Sequence, residues 1–147
     1  RIGRNLFVHA GLSARLLERD LEMDTLNARM SEGLYRTSKE RREDPTLEFL
    51  YRSAGPVWYR GMVCTDEKYD PLTPEQTDAL LRRYDADRLL VGHTIFPDIS
   101  TFHDGRVIAV NVQNELNRRK NRGRAVLIEG SRISVVGNRG VKRVLEE

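Results

Sequence analysis

The sequence predicts an α+β fold, and the order of its apolar patterns is the reason. A short strand-like run occupies residues 5–9, and helix-like spacing of apolar residues follows through residues 13–86. Several strand-like runs separated by glycine then fill residues 88–137. A strand, then helices, then a strand and three or four further strands is the pattern of a chain of mixed class.

The first strand-like run is followed by a helix-like segment and then by a polar stretch. Six apolar residues recur at roughly helical spacing through residues 13–36, which predicts one helix or two short ones. Ser13 is placed to cap the N-terminus of this segment. The polar residues 37–45 end at Pro45 and predict a loop.

Two further helices are marked by their first residues. Residues 45–56 begin with proline and stop at a Gly-Pro pair, and residues 57–63 are expected to be extended or to form a tight loop. Residues 72–86 give the clearest helix. There Thr73 and Gln76 have the spacing of a capping box, and Pro74 stands at the first helical position.

The remaining strands are expected after this helix. Residues 88–94 predict a buried strand that ends in Gly-His. Residues 105–112, 124–130 and 132–137 follow, and the glycines at 105, 130 and 137 predict that they pair as antiparallel strands.

Composition limits the kind of protein. The chain has 147 residues, which fits one domain or part of one, with a net charge of +3 and a pI of about 9.2. That charge is too small to predict a nucleic-acid partner. No apolar run approaches the roughly 20 residues of a membrane span, so no membrane partner is expected. The chain begins with Arg1 and enters a strand almost at once, and we interpret it as a C-terminal piece of something longer.

One cysteine, Cys64, excludes an internal disulfide and a cysteine-rich metal site. It is expected to be a small buried hydrophobic residue. A single free cysteine suits a reducing compartment, which favours the cytoplasm without determining it.

Two histidines end strand-like runs in matching contexts. His9 follows an apolar run and precedes Ala10 and Gly11, and His93 follows another apolar run and Gly92. Ligand sites gather at the carboxyl ends of strands, and imidazole is a common metal ligand. The pair therefore predicts either a shared metal site or two separate histidines satisfied at their strand ends.

Four segments resemble a known family. LFVHAGLS at residues 6–13, GPVWYRG at 55–61, LLVGHT at 89–94 and AVLIEG at 125–130 are similar to segments of the calcineurin-like metallophosphoesterase superfamily, in its serine/threonine phosphoprotein phosphatase branch and its Shewanella-like bacterial type. The resemblance implies that residues 1–147 are the C-terminal half of a four-layer αββα sandwich. It also implies that the N-terminal half of the same catalytic domain, with the first metal motifs, is absent and is a partner of this chain.

The resemblance also implies site residues. His9 and His93 would bind one of two divalent metal ions, with manganese, iron or zinc expected, and the metals would activate the attacking water. Arg60 would bind the phosphate, since a guanidinium suits phosphoryl oxygens. Tyr59 would position Arg60 or contact the substrate.

A basic segment near residue 120 has two interpretations. Arg118, Arg119 and Lys120 lie between two predicted strands, where they could steer an anionic substrate or form a solvated surface. His103 is expected to be a solvated residue of a hairpin turn.

The function expected from these features is metal-dependent hydrolysis of phosphomonoesters, with phosphorylated small molecules or phosphoserine and phosphothreonine proteins as substrates. This chain alone would be an incomplete enzyme with an exposed apolar sheet face. Two alternatives stay open. One is hydrolysis of dinucleoside polyphosphates on the same fold, and the other is a non-catalytic module that binds polyanions.

Overall fold

A computed structural model of the chain describes residues 1–146 and contains seven strands and six α-helices over that range. The strands are β1 (Asn5–Val8), β2 (Arg88–Val91), β3 (Ser100–Phe102), β4 (Val107–Ala109), β5 (Ala125–Glu129), β6 (Arg132–Val136) and β7 (Lys142–Glu146). The helices are α1 (Arg15–Arg19), α2 (Met23–Leu34), α3 (Ser38–Glu43), α4 (Pro45–Tyr51), α5 (Pro74–Arg83) and α6 (Asn114–Arg119). Short 3₁₀ turns lie at Glu67–Tyr69 and Asn138–Gly140.

The strands form two sheets, which confirms the α+β class. The first sheet has the order β1-β2-β4-β3, with β1, β2 and β4 parallel and β3 antiparallel to β4. The second sheet, β5-β6-β7, is antiparallel throughout. The prediction of antiparallel pairing was wrong for β4. The sequence did not predict the three-residue strand β3, which forms a hairpin with β4. Because the chain reverses direction between β3 and β4, β4 runs parallel to β2.

Two apolar cores separate three layers. One face of the first sheet packs on the helices, with Leu89 and Leu50 both fully buried in that core. The other face packs on the second sheet, where Leu90 and Ile108 meet Ile133. Residues 1–146 therefore stack helices on a sheet and that sheet on a second sheet. The complete four-layer arrangement is not formed by these residues.

The stretch predicted as a loop at residues 37–45 contains α3. Thr37 accepts a hydrogen bond from the backbone N–H of Glu40, whose carboxylate accepts one from the Thr37 N–H at 2.7 Å. This capping box starts a helix that has no buried residue. The apolar periodicity by which a helix is recognised is therefore absent here.

The expected capping box of α5 is present and gives a test of its stability. Thr73 Oγ1 accepts from the Gln76 N–H at 3.3 Å, and Gln76 Oε1 accepts from the Thr73 N–H at 3.0 Å. Thr73→Ala should lower the free energy of unfolding by about 1 kcal/mol, because an N-terminal donor loses its acceptor. Chemical denaturation measures the change. Thr65→Ala, at an exposed loop threonine, is the control, and an equal loss in both variants would contradict the assignment.

The structure bears on the predictions about membrane spans and about Cys64. No helix within residues 1–146 is long and apolar enough to cross a membrane. Cys64 is partly buried and packs against the first core, and it forms no disulfide.

Candidate active site

His9 and His93 meet at one edge of the first sheet. Parallel pairing places Val8 beside Val91, so β1 and β2 end at the same edge. His9 follows Val8 directly, and His93 follows Val91 after Gly92. His9 Nε2 lies 3.2 Å from His93 Nδ1, a hydrogen bond whose direction depends on the tautomers. Gly92 follows β2, and its N–H donates to His9 O at 2.9 Å. The sequence prediction that these two imidazoles converge is confirmed.

The backbone of His93 is held in a strained conformation. Its φ is 59°, in the left-handed region that non-glycine residues rarely adopt. The Thr94 N–H donates to Gly92 O at 2.6 Å and closes the turn. Such strain costs energy and persists where the surrounding structure enforces it, often at sites of function.

The surroundings of the His93 imidazole disfavour its charged form. Burial, together with the charge of Arg60 and the presence of His9, lowers its pKa below the ordinary value. Its Nε2 is buried and has no hydrogen-bond partner in the described part of the chain. The edge of Trp58 packs on the ring, with centroids 5.2 Å apart. His93 therefore has one ring nitrogen that is enclosed by neighbouring residues and has no partner among the described residues.

Arg60 lies at the same sheet edge. Its Nη1 donates to Thr94 Oγ1 at 2.9 Å, in the residue that follows His93. The guanidinium is half-buried and forms no ion pair with the residues described. An unneutralised, oriented guanidinium beside two imidazoles is a site for an anion with several oxygens. Sequence reasoning gave Thr94 no role, and only the fold brings it to Arg60.

A compact run of turns, residues 53–63, holds Arg60 in place. The Ala10 N–H donates to Pro56 O at 2.9 Å, which ties this run to the end of β1. Ser13 was predicted to cap a helix, and that is wrong because its hydroxyl donates to Ala54 O at 2.7 Å instead. These two bonds join the His9 segment to the Arg60 segment.

Tyr59 is buried and supports the turn from beneath. It is 3% exposed, and its hydroxyl donates to Asp70 O at 2.5 Å. Burial raises the pKa of this hydroxyl well above the ordinary value, so it stays a neutral donor. Trp58, by contrast, is 52% exposed. The exposed aromatic surface of this segment thus belongs to Trp58, whereas Tyr59 is placed to position Arg60.

Two glycines make the turn possible. A Cβ at Gly55 would lie 2.1 Å from Leu50 O, and one at Gly61 would lie 2.2 Å from the Tyr59 hydroxyl. Both contacts are too short for any side chain, so close backbone approach requires glycine on either side of Arg60.

The basic residues expected to help with substrate lie in and after α6, which the sequence did not predict. Arg118, Arg119 and Lys120 are all exposed, and Arg119 forms an ion pair with Glu115 at 2.5 Å. They form no hydrogen bond or ion pair with His9, His93 or Arg60 within residues 1–146. Their part in substrate recognition stays a prediction.

His103 is placed differently from its prediction. It lies in the expected turn between β3 and β4, but its ring is partly buried. Nδ1 lies 3.2 Å from Thr77 Oγ1, and Nε2 lies 3.1 Å from Met62 O. It is therefore a bonded structural histidine rather than a solvated one.

The prediction of a centre with two divalent metal ions was wrong, because the described residues lack the ligands for one. Residues 1–146 contain no group of three or more histidine, cysteine, aspartate or glutamate side chains that could hold a metal ion. His9 and His93 bring two nitrogens only, which hydrogen-bond to each other, with the cationic Arg60 nearby. These residues do not fit the predicted metal centre.

Comparisons with known proteins give a fold neighbour but no sequence family. No family model matches the chain, and no curated protein matches it. Among the solved structures that match are a cold-active protein tyrosine phosphatase, a point mutant of a cold-active protein tyrosine phosphatase, and the cold-active protein-tyrosine phosphatase of a psychrophilic Shewanella species. Each has a TM-score of 0.84 and is 26% identical over 97% of this chain.

These structures correct the assignment made from the sequence motifs. The chain was expected to belong to the calcineurin-like metallophosphoesterases, in the serine/threonine branch, whereas the matching structures are named protein tyrosine phosphatases. The chain spans 40% of the length of each.

Proposed function

We propose that this chain forms the phosphoryl-binding part of a protein phosphatase. The observation that carries the proposal is the unpaired guanidinium of Arg60, fixed by Thr94 beside the His9–His93 pair at a strained turn. A phosphoryl group presents several charged oxygens, and a planar guanidinium can bind two of them at once. The names of the matching structures support a phosphatase.

The proposed reaction is hydrolysis of a phosphomonoester. Water attacks phosphorus, the bond from phosphorus to the ester oxygen breaks, and the alcohol leaves with a proton as inorganic phosphate forms. Arg60 would hold the phosphoryl oxygens, and the exposed imidazole of His9 would bond a third oxygen or the water. These roles are binding and orientation, which supply much of the catalysis of phosphoryl transfer.

Phosphotyrosine is the substrate that we propose. Trp58 exposes an aromatic surface next to His93, and an aryl ring could pack there while its phosphate reaches Arg60. The matching structures are named for tyrosine phosphatase activity. Phosphoserine or phosphothreonine proteins and dinucleoside polyphosphates remain the alternatives.

Release of inorganic phosphate tests this function. The intact protein that contains this chain is offered one peptide sequence phosphorylated on tyrosine, serine or threonine. A dinucleoside tetraphosphate is offered separately, and its hydrolysis is followed by the nucleotides it yields because it releases no inorganic phosphate. We expect the highest kcat/KM for the phosphotyrosine peptide and a large loss in Arg60→Ala. Hydrolysis of none of the four substrates would refute the proposal. Binding that ignores Arg60 and falls only with salt would favour a polyanion-binding module instead.

We further propose that the chain packs against another part of the same catalytic domain, which lies in the remaining length of the matching structures. β1 is an edge strand of the first sheet, so one row of its backbone groups is unpaired. Phe7 in β1 is 48% exposed, and Val110, which lines the same surface cavity, is 37% exposed. An open edge next to exposed apolar side chains supports a partner that adds to the sheet.

Self-association of the isolated 147-residue chain tests this packing. Sedimentation velocity should show oligomers whose fraction rises with concentration, because the open edge and Phe7 pair with other copies. Phe7→Ser should reduce that fraction several-fold, whereas Tyr35→Ser, at an aromatic residue that is 91% exposed, should not. A monomer at all concentrations would count against the proposed partner surface.

A further inference from the structure

We propose that a basic groove beside Arg60 binds acidic residues that flank the phosphorylated residue of a substrate peptide. This inference rests on the proposed function and names its substrate class. The basic groove is the cavity of about 690 Å³ whose walls include Arg15, Arg52, Trp58, Arg60, Lys68 and Tyr69. Its volume lies in the ordinary range for ligand sites.

The groove and the phosphoryl site share residues, so one ligand can occupy both. Arg60 lines the groove and bonds Thr94 at the sheet edge. Trp58 lines the groove and packs its edge on His93. A peptide that places its phosphoryl group on Arg60 would therefore extend directly into the groove.

The groove carries a large excess of positive charge. Four of the residues that line it are basic, and Asp70 is the one acidic residue among the lining residues described. Arg15 forms no ion pair within residues 1–146, so its charge is available. Arg52 and Lys68 have carboxylate partners at 3.1 Å and 2.9 Å, but their side chains are 60% and 63% exposed. Exposed pairs of this kind are weak and can be exchanged for a ligand carboxylate.

The positions of these charges favour an extended chain over a compact anion. Arg15 begins α1, Arg52 follows α4, and Lys68 lies in the 3₁₀ turn at Glu67–Tyr69. Three separate segments thus place cations around one open cavity. A compact anion would be held by converging donors, whereas carboxylates spaced along a peptide can meet donors on different walls.

Fluorescence anisotropy with labelled peptides tests the inference. The probes are a phosphotyrosine peptide with aspartate and glutamate on both sides, the same peptide with asparagine and glutamine in their place, and the acidic peptide without phosphate. We expect the acidic phosphopeptide to bind the intact protein that contains this chain about tenfold more tightly than the neutral one, since several exposed charge pairs add.

Variants assign that preference to the groove. Arg15→Gln with Arg52→Gln should reduce the tenfold preference to about twofold and leave binding of the neutral phosphopeptide unchanged. Lys39→Gln with Arg42→Gln removes two exposed charges from α3, outside the groove, and should leave the preference intact. All four changes are at exposed side chains, and circular dichroism checks that each variant folds.

The failure of this inference differs from the failure of the proposed function. Equal affinity for both phosphopeptides, or a preference that survives the Arg15 and Arg52 changes, overturns the inference. In either case inorganic phosphate would still compete and Arg60→Ala would still weaken binding. A dinucleoside tetraphosphate that binds more tightly than either peptide and loses affinity in the groove variant would also overturn it. If phosphate does not compete and Arg60→Ala has no effect, the proposed function itself fails.

Discussion

Replacing Arg60 with alanine is expected to weaken the binding of inorganic phosphate and of phosphotyrosine by about tenfold to about 150-fold. The guanidinium is half-buried and unpaired within residues 1–146, and Thr94 fixes its direction. A hydrogen bond to a charged group contributes about 1.5–3 kcal/mol, which gives that range of affinity. Isothermal titration of each ligand measures it.

The conservative variant separates charge from shape. Arg60→Lys keeps a cation but loses the planar pair of donors, so it should recover only part of the lost affinity. Arg42→Ala, which removes an exposed arginine of α3, is the control and should bind phosphate as the wild type does. Wild-type affinity in Arg60→Ala would show that the phosphoryl group binds elsewhere.

The second large effect is expected from the glycines that bracket Arg60. Gly55→Ala would place a methyl group 2.1 Å from the backbone oxygen of Leu50, and a backbone atom cannot rotate away. Overpacking of this kind costs about 1–3 kcal/mol, and a clash with backbone belongs at the upper end. We therefore expect a marked fall in the free energy of unfolding, measured by denaturant titration.

A substitution at Gly61 shows whether the loss of stability is accompanied by a loss of phosphate affinity. Gly61→Ala would push against the Tyr59 hydroxyl, which holds Asp70, so phosphate affinity should fall together with stability. Gly137→Ala is the matched control, because its Cβ would meet only ordinary contacts at 3.6 Å and beyond. If all three variants are equally stable, the close approach around Arg60 is not a constraint on the fold.

The sequence predicts those features that depend on residues close together along the chain. His9 and His93 each end an apolar run, and parallel strands bring such ends to the same edge. The box at Thr73 and Gln76 is likewise a matter of spacing along one segment. These features require no knowledge of the distant packing.

The features that the sequence did not predict depend on contacts between segments that are far apart along the chain. Thr94 reaches Arg60 across 34 positions, and the hydroxyl of Ser13 turns to Ala54 rather than to its own helix. β3 has three residues, too few for a clear alternation, and its absence from the prediction reversed the expected direction of β4. The basic groove draws its cations from separate segments, so no single motif shows it.

The proposed anion site includes both histidines and Arg60, and nuclear magnetic resonance follows each of these side chains as a ligand binds. Phosphotyrosine is titrated into the intact protein that contains this chain while the ring nitrogens of His9 and His93 and the Nε of Arg60 are followed. We predict that all three signals move together with one dissociation constant, and that Arg60→Ala removes the movement of the histidines. Ring signals that stay fixed while the signals of Arg118 and Arg119 in α6 shift would show that the anion does not bind at His9, His93 and Arg60.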